Sequence, residues 1–364
     1  MNDVLSIVAV GDCFPNARFF VDGEPISPGF ARTIELIGEA DLCFANYEMP
    51  LSDRGTPMEK LAAIRADPEI AVDVERVGLD VASLANNHAL DYGPEALADT
   101  MSNLESIGVR HLGAGMSLDE AIRPLILEVK GRRVGFVAYS CLVAAGAAAA
   151  VDRPGVAPIH VHSGYEVNPY WEIEEPGEPL MVTIRTRADN AEQAAAEAAI
   201  RRLRPEVDVL CASIHWGYGA SDDLAEYQRP LGHALIDAGA DAIIGNHVHA
   251  VHGIEVYKGK PILYSPGTFI GRQIPVDASE ASELILGILA SMSPDGYAAR
   301  LTFDGEGNCS VALVPTSIDE KGLPLIAEGA ILERIVARVV RHSAKLGTEL
   351  ELVGGELVPS GAAA

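Results

Sequence analysis

The amino-acid sequence predicts an α/β fold, and three observations lead to that prediction. Short apolar runs without polar alternation end abruptly in polar residues or glycine, which is typical of buried strands in a parallel sheet. Stretches with apolar residues at helical spacing lie between these runs, and glycine or proline follows most of them. Strand and helix therefore alternate along the chain, as they do in α/β proteins.

The predicted elements follow in chain order. Buried strands are expected at 4–12, 40–48, 79–88, 132–140, 207–217, 241–249 and 260–269. Helices are expected between them at 30–39, 67–77, 94–107, 190–203 and 223–238. The pattern then changes, because 281–293, 297–305 and 309–317 are typical of consecutive antiparallel strands. An amphipathic helix is expected at 325–346, followed by a frayed end.

We expect one domain over residues 1–320, with the C-terminal helix and tail, 321–364, packed on it. Residues 143–187 interrupt the rhythm, since their second half, "GYEVNPYWEIEEPGEP", is rich in proline, acidic and aromatic residues. A long irregular segment in a compact domain is usually functional or disordered. We interpret it as an insertion near the site that carries Tyr165, Tyr170 and Trp171, of which Tyr165 and Trp171 are candidates to face a substrate. A mobile surface loop is the alternative.

The composition excludes some partners. A formal net charge of −25 argues against nucleic acid and disfavours an anionic membrane surface, because the field of the protein would repel both. The opening "MNDVLSIVAVGD" has no basic segment before a short apolar run, and no stretch is long and apolar enough to span a bilayer. The five cysteines form no CxxC pair, which indicates reduced thiols and a cytoplasmic protein.

Polar side chains stand at the carboxyl ends of five predicted strands, the edge at which open α/β sheets bind ligands. They are Asp12, Asn46 with Glu48, Asn86–Asn87–His88, His215, and His247 with His249. This mixture of carboxylate, amide and imidazole suits one divalent ion, either Ca, Mn, Zn, Fe or Mg.

The stretch "GNHVHAVHG" concentrates three of the histidines. His247 and His249 are two apart, so both would face the same side of a regular strand and could reach one ion. An isolated HxH is more often structural, and only the other strand ends favour a ligand role here. His252 lies beyond the strand, and we expect it to support a ligand or to face the substrate.

"LANNHALDYG" contains a candidate acid–base unit. Asp91 lies three residues after His88, so a turn would allow it to orient and polarise the imidazole. The alternative is that Asp91 caps the helix that begins near Pro94.

These residues resemble a known family. "VAVGD", "ANYEMPL", "LANNHALDYG", "IHWG" and "GADAIIGNHVHAVHGIEVYKGKPILYSPGTFI" are similar to CapA-like proteins, which are associated with poly-γ-glutamate capsule synthesis and belong to the calcineurin-like metallophosphoesterase superfamily. The resemblance covers about residues 5–272 and implies a four-layer αββα sandwich with two central β-sheets. It implies a metal site and His88 as the acid–base histidine; the implied ligands are Asp12, Asn46 or Glu48, Asn87, His215, His247 and His249.

The sequence departs from the superfamily pattern in ways that favour one metal rather than two. Metallophosphoesterases carry Asp-x-His on the first strand, where this chain has Asp12-Cys13-Phe14. They carry an aspartate on the second strand, where this chain offers Asn46 and Glu48. The acidic residue that often follows "HWG" is also missing.

Three functions are compatible with this site. The first is a metal-dependent acid–base enzyme that epimerises a Cα in a peptide, as the resemblance implies for a cytoplasmic branch that acts on lasso-type precursor peptides. The C-terminus of the precursor is the candidate substrate region. Its catalytic residues would be His88 with Asp91, and His247 with Asp12 as a possible partner. The second is a metal-dependent phosphoesterase or hydrolase, and the third is an accessory protein of polyglutamate synthesis. No organic cofactor is expected, since no GxGxxG follows the first strand.

Overall fold

The computed structural model describes residues 4–178, 181–218, 222–271 and 292–360. The helices are α1 (Pro28–Gly38), α2 (Ala71–Val77), α3 (Gly93–Ser106), α4 (Leu118–Ala121), α5 (Pro169–Glu174), α6 (Asn190–Leu203), α7 (Gln228–Ala238) and α8 (Gly329–Lys345). Short 3-10 turns occupy Pro68–Ile70 and Arg204–Glu206.

The strands follow in chain order. The first are β1 (Leu5–Phe14), β2 (Phe20–Val21), β3 (Glu24–Pro25), β4 (Leu42–Tyr47), β5 (Val81–Ser83), β6 (Arg110–Leu112), β7 (Ala114–Gly115), β8 (Leu125–Val129), β9 (Arg132–Ser140), β10 (Gly155–Val156), β11 (Val161–Val167) and β12 (Val182–Ala188). The others are β13 (Val209–His215), β14 (Ala242–Asn246), β15 (Ile254–Tyr257), β16 (Lys260–Leu263), β17 (Thr268–Gly271), β18 (Asp295–Phe303), β19 (Cys309–Ile318), β20 (Pro324–Ile326), β21 (Leu350–Val353) and β22 (Glu356–Pro359).

Two large sheets form the centre of the fold. The first runs β21-β22-β19-β18-β1-β4-β5-β6, with β17 beside β1 and β20 beside β19. The second runs β15-β16-β14-β13-β9-β8. Strands β1, β4, β5 and β6 are parallel to one another, and so are β9, β13, β14 and β16. Each sheet therefore has one edge at which several carboxyl ends meet.

Alternating side chains on the strands divide the interior into three apolar cores. Ile7 and Phe44 of the first sheet pack with Phe136 of the second, and the rings of Phe44 and Phe136 stack at 5.6 Å. The opposite face of the first sheet packs on α1, α2 and α3, and that of the second packs on α6 and α7. Because side chains on a strand point alternately to its two faces, both faces of each sheet are covered. The four-layer αββα sandwich is confirmed.

Most predicted elements are confirmed near their expected bounds, and the differences have local causes. The strand expected at 79–88 ends at Ser83, because the polar residues after it form a loop. The helix expected at 223–238 begins only at Gln228. The prediction of a frayed end was wrong for Val358 and Pro359, which lie in the hairpin β21–β22 on the first sheet. The strand expected at 281–293 falls almost entirely outside the described residues.

The prediction of an irregular segment at 143–187 was wrong in its second half. Strands β11 and β12 pair antiparallel over their whole length, and α5 lies between them in sequence. We call this unit, 161–188, the arm. Alternating polar residues on the ribbon gave no clear apolar run, so the strand pattern was missed.

Within the described parts of the chain, no helix combines the length and apolar character needed to cross a bilayer.

Candidate metal centre and acid–base pairs

The carboxyl ends of the two sheets meet at one buried site. Asp12 of β1 lies in register with Asn46 of β4, and His215 ends β13 in the second sheet. The Nδ2 atom of Asn46 lies 3.3 Å from Nδ1 of His215, so the two sheets touch through these side chains. The prediction that separate strands deliver their polar ends to one rim is confirmed for these residues.

A glycine allows the chain to place Asp12 there. The backbone N–H of Asp12 donates to the carbonyl of Gly267 at 3.0 Å, where β1 and the segment before β17 cross. A Cβ on Gly11 would lie only 1.8 Å from the same carbonyl oxygen. Any other residue at position 11 would force the two segments apart and move Asp12.

Asn46 organises the carboxylates. Its amide donates to Oδ1 of Asp12 at 2.7 Å and to Oε2 of Glu48 at 3.0 Å, and its own oxygen accepts from Asn86 at 3.2 Å. Because the amide nitrogen is held by two carboxylates, Asn46 acts mainly as a bridge between them. Only the side-chain Oδ1 atom of Asn46 could therefore serve as the predicted metal ligand.

Two groups of three side chains have ligand atoms within 4.8 Å of one another, and both contain Glu48. The first is Glu48, His215 and His247, and the second is Asp12, Glu48 and His249. Asn87 joins the first group, since its Oδ1 lies 2.7 Å from Nε2 of His215.

The first group fits a divalent ion. Oε1 of Glu48 and Nδ1 of His247 are buried and make no hydrogen bond to any described residue. Burial raises the pKa of Glu48 well above its usual range, and the nearby Asp12 adds to the rise. Burial lowers the pKa of His247 to about 3 and that of His215 well below its usual value. Neutral imidazoles beside a buried carboxyl group whose Oε1 atom has no hydrogen-bond partner are a donor set that a divalent metal can complete.

The histidines lie just beyond β14, in an unusual backbone conformation. Residues His247 and His249 have φ angles of 106° and 52°. Non-glycine residues rarely adopt positive φ, and such strain persists chiefly at functional sites. The expectation that both face one side of a regular strand was wrong, because the strand ends at Asn246.

The predicted His88–Asp91 unit is present. Nδ1 of His88 lies 2.6 Å from Oδ2 of Asp91, and both side chains are buried. Lys60 donates to the other oxygen of Asp91 at 2.6 Å. Asp91 accepts from the backbone of Ile64 rather than capping α3, so the alternative reading is excluded. Burial lowers the pKa of His88 against the opposing effect of Asp91, which favours a neutral imidazole with Nε2 able to take a proton.

A second pair joins Asp12 to His249. Nδ1 of His249 lies 2.9 Å from Oδ2 of Asp12. Burial alone would raise the pKa of Asp12, but the charge of His249 and hydrogen bonds from its neighbours hold that pKa below its usual value. His247 reaches Asp12 only through its backbone N–H. The imidazole that lies beside Asp12 is therefore that of His249, and the acid–base role predicted for His247 stays a prediction, although its ring does not make this contact.

Other predicted residues lie elsewhere. The ring of His252 stacks near that of His342 at 5.9 Å, and it lines a cavity with Asp222 and Arg229. Tyr165 and Trp171 belong to the arm, from which Arg185 forms an ion pair with Glu226. A role for these three residues toward the substrate stays a prediction.

The sequence did not predict the contact that Lys60 makes with Asp91, nor that Asn86 binds His88, Asn46 and Tyr47 at once. Lys60 comes from a loop without any strand signal. Asn86 accepts from the backbone of His88 at 3.1 Å while its amide holds Asn46 and Tyr47. Its position in "LANNH" was the available signal, and only the folded loop shows that it positions His88.

Comparisons with known proteins show which family the chain belongs to. A family model, described as bacterial capsule synthesis protein PGA_cap, matches residues 6–273. The chain belongs to this family. Its resemblance to CapA-like members of the calcineurin-like metallophosphoesterase superfamily is thus confirmed.

Several relatives cover most of the chain. An uncharacterized protein of Sinorhizobium fredii is 31% identical over 73% of this chain and 66% of its own length. A probable polyglutamine synthesis accessory protein of Mycobacterium tuberculosis is 32% identical over 70% and 62%, respectively. The PGA biosynthesis protein CapA of Bacillus subtilis is 28% identical over 74% and 64%. The chain thus spans less than two thirds of the length of these relatives.

Proposed function

We propose that this protein is a metal-dependent acid–base enzyme that epimerises a Cα centre in a peptide. The observation that carries the proposal is the presence of two buried His–Asp pairs, His88–Asp91 and His249–Asp12, in one cluster. Burial is the main cause that lowers the pKa of His88, and the charge of His249 adds to that lowering. Inversion of a carbon centre requires one group to remove a proton and another to return one to the opposite face.

The two histidines would transfer protons on opposite faces of the Cα atom. One neutral imidazole accepts the Cα proton while the electron pair of the broken C–H bond moves toward the adjacent carbonyl. The other imidazole, protonated beforehand, donates its proton to the opposite face of Cα. Asp91 accepts from Nδ1 of His88, Asp12 lies 2.9 Å from Nδ1 of His249, and each carboxylate stabilises the charged form of its histidine. The substrate ends with the same atoms and oxidation state, and its configuration is inverted.

Glu48, His215, His247 and Asn87 would hold the metal, which leaves His249 and Asp12 to move protons. A bound divalent ion would supply positive charge for the negative charge that develops on the carbonyl oxygen. Glu48→Gln removes the carboxylate common to both ligand groups. Elemental analysis of the purified variant should show loss of the metal that the parent protein retains.

The reaction is tested in heavy water. Short peptides that differ in their C-terminal residue, including candidate precursor peptides, are incubated with the protein, with and without chelator. The proposal expects an epimerised product with one deuterium at Cα, and loss of that product with chelator. His233→Asn is a matched control, since Nε2 of His233 lies 2.9 Å from Glu255 in an acid–histidine pair outside the cluster. The absence of Cα deuterium in every peptide would contradict the proposal.

A metal-dependent phosphoesterase is the second candidate, and one observation favours it. The two ligand groups share Glu48, and two ions a short distance apart are the arrangement used for in-line displacement at phosphorus. Two bound ions per chain and manganese-dependent phosphate release from simple esters would support this function over epimerisation.

A further inference from the structure

The arm exposes a continuous set of apolar side chains. In the ribbon, Tyr165 pairs with Ile184 and Val167 pairs with Val182. These pairs are two residues apart, so the four side chains share one face of the ribbon. Their exposed fractions are 73%, 61%, 45% and 40% in that order.

The helix at the end of the arm adds to this surface. Tyr170 and Ile173 of α5 are 59% and 75% exposed, and the ring of Trp171 stands edge-on to Tyr170 at 5.1 Å. Isolated two-stranded ribbons are marginally stable in water, and exposed apolar clusters mark binding surfaces. We call the residues of the metal and acid–base site the strand-end cluster, namely Asp12, Glu48, Asn87, His88, Asp91, His215, His247 and His249. The apolar surface of the arm has no role in the chemistry proposed for that cluster.

The opposite face of the ribbon carries the attachment to the body. Arg185 forms ion pairs with Glu166 across the ribbon and with Glu226 beyond it, at 2.7 Å each. The backbone N–H of Thr186 donates to Glu226 at 2.9 Å. At the base, Nε2 of His162 lies 2.8 Å from Asp189. These contacts hold the polar face and the base, and they leave the apolar face to solvent.

The negative charge of the arm indicates the chemical character of its partner. The arm contains five acidic residues, Glu166, Glu172, Glu174, Glu175 and Glu178, and its two basic residues, Arg185 and Arg187, lie together near the end of β12. A second copy would set acidic arm against acidic arm in a protein of net charge −25, which is unfavourable. A partner with lysine or arginine beside apolar residues would satisfy both features of the surface.

The backbone of the arm suits an extended partner. Strands β11 and β12 pair only with each other among the described strands, and Glu226 binds the outer edge of β12 at Thr186, which leaves the outer edge of β11 for a further strand. An extended peptide can add as a further strand, with backbone hydrogen bonds for affinity and alternating side chains for specificity. We propose that the arm is the docking site for an extended peptide segment in which apolar and basic residues alternate. This inference stands independently of the chemistry at the cluster.

The chain's two tryptophans provide a direct readout. Trp171 lies in the arm, whereas Trp216 is fully buried and stacks on Tyr264. The full chain is titrated with a synthetic peptide of alternating lysine and valine, and with a matched peptide of alternating glutamate and valine. We expect a change in emission with the basic peptide alone, and loss of the change in Trp171→Phe. No change with the basic peptide would overturn the proposal.

Labelled-peptide anisotropy then measures affinity in variants. The double variant Tyr165→Ser/Ile184→Ser should bind the basic peptide at least about tenfold more weakly than the parent does. Val151→Ser is the matched control, since Val151 is exposed outside the arm, and it should bind as the parent does. Equal binding by the double variant and the control would refute the apolar face as the site.

A second variant guards against simple unfolding of the ribbon. Glu172→Gln/Glu174→Gln/Glu175→Gln leaves every apolar side chain of the arm in place. It should weaken binding and reduce its dependence on salt, because charge attraction between exposed groups is screened by ions. Unchanged affinity and salt dependence would contradict the charge argument. Sedimentation that shows dimers of the parent, lost in the double variant, would instead assign the surface to a second copy.

Discussion

The strand-end cluster and the arm reverse the usual distribution of polar and apolar groups in opposite directions. The cluster buries charged and polar side chains, including Asp12, Glu48 and Asp91, where burial normally opposes charge. The arm leaves large apolar side chains such as Tyr165 and Ile184 in solvent. Each arrangement costs stability in the isolated chain, and the two proposals account for that cost by a ligand at each place. Under these proposals the residues of the cluster serve chemistry and those of the arm serve recognition.

The largest effect is expected in the cluster. His88→Asn and Asp91→Asn should each lower the rate of Cα exchange by about 10²–10⁴-fold, the usual contribution of a positioned acid–base group. Asp91→Asn acts because an amide cannot hold the Nδ1–H of His88 as a carboxylate does. Exchange rates by mass spectrometry check this, with His233→Asn as control. Full activity in both variants would remove the first His–Asp pair from the mechanism.

The second-largest effect is expected from a substitution in the apolar interface between the two sheets. Ile7 is fully buried between the two sheets, so Ile7→Ala should lower the free energy of unfolding by about 2–5 kcal/mol. Urea unfolding measures the change. A loss below that range would mean that the interface between the sheets repacks around the smaller side chain.

A buried carboxylate outside the cluster provides the contrast with Glu48. Asp73 accepts from Arg18 at 2.9 Å and from the backbone N–H groups of Phe19 and Phe20. Burial opposes ionisation of Asp73, but these donors outweigh it and lower its pKa. Asp73→Asn should cost about 1–3 kcal/mol at neutral pH.

The pH dependence of that cost follows from the direction of the shift. Because the folded pKa of Asp73 lies below its usual value of 3.8, the ionised side chain stabilises the fold above that pH. The stabilisation is lost as pH falls through the folded pKa. The difference in unfolding free energy between parent and Asp73→Asn should therefore shrink in acid. A constant difference from neutral pH down to strong acid would contradict this account of Asp73.

The smallest effect is expected in the arm. Ile184→Ala should change the free energy of unfolding by less than about 0.5 kcal/mol, because the side chain is mostly exposed. Urea unfolding measures the free energy of unfolding of Ile184→Ala and of Ile7→Ala. Because both variants replace isoleucine with alanine, their difference reports the burial of the two positions. A cost as large as that of Ile7→Ala would show that the face is covered in the folded chain, and the arm could not then be a free docking surface.

Much of the cluster could be predicted because its residues follow apolar runs that are recognisable as strands. Asp12 and His215 stand at such ends, and their convergence follows from parallel pairing. The choice between His247 and His249 could not be predicted. Strand periodicity does not apply beyond Asn246, and two positive φ angles decide which imidazole reaches Asp12.

Other parts depended on contacts distant in sequence. Lys60 reaches Asp91 across 31 residues, and no local pattern indicates that contact. The arm was missed for a different reason, since a ribbon with one apolar face open to solvent has no buried face to give a strand its apolar run.

Reciprocal exchange tests the central claim that two His–Asp pairs act on opposite faces of one carbon. His88→Asn and His249→Asn are each incubated in heavy water with both stereoisomers of a peptide that the parent epimerises. The account predicts that each variant introduces deuterium into one stereoisomer without inverting it, and that the two variants choose opposite stereoisomers. Exchange of the same stereoisomer by both variants, or inversion that survives the loss of either histidine, would contradict it.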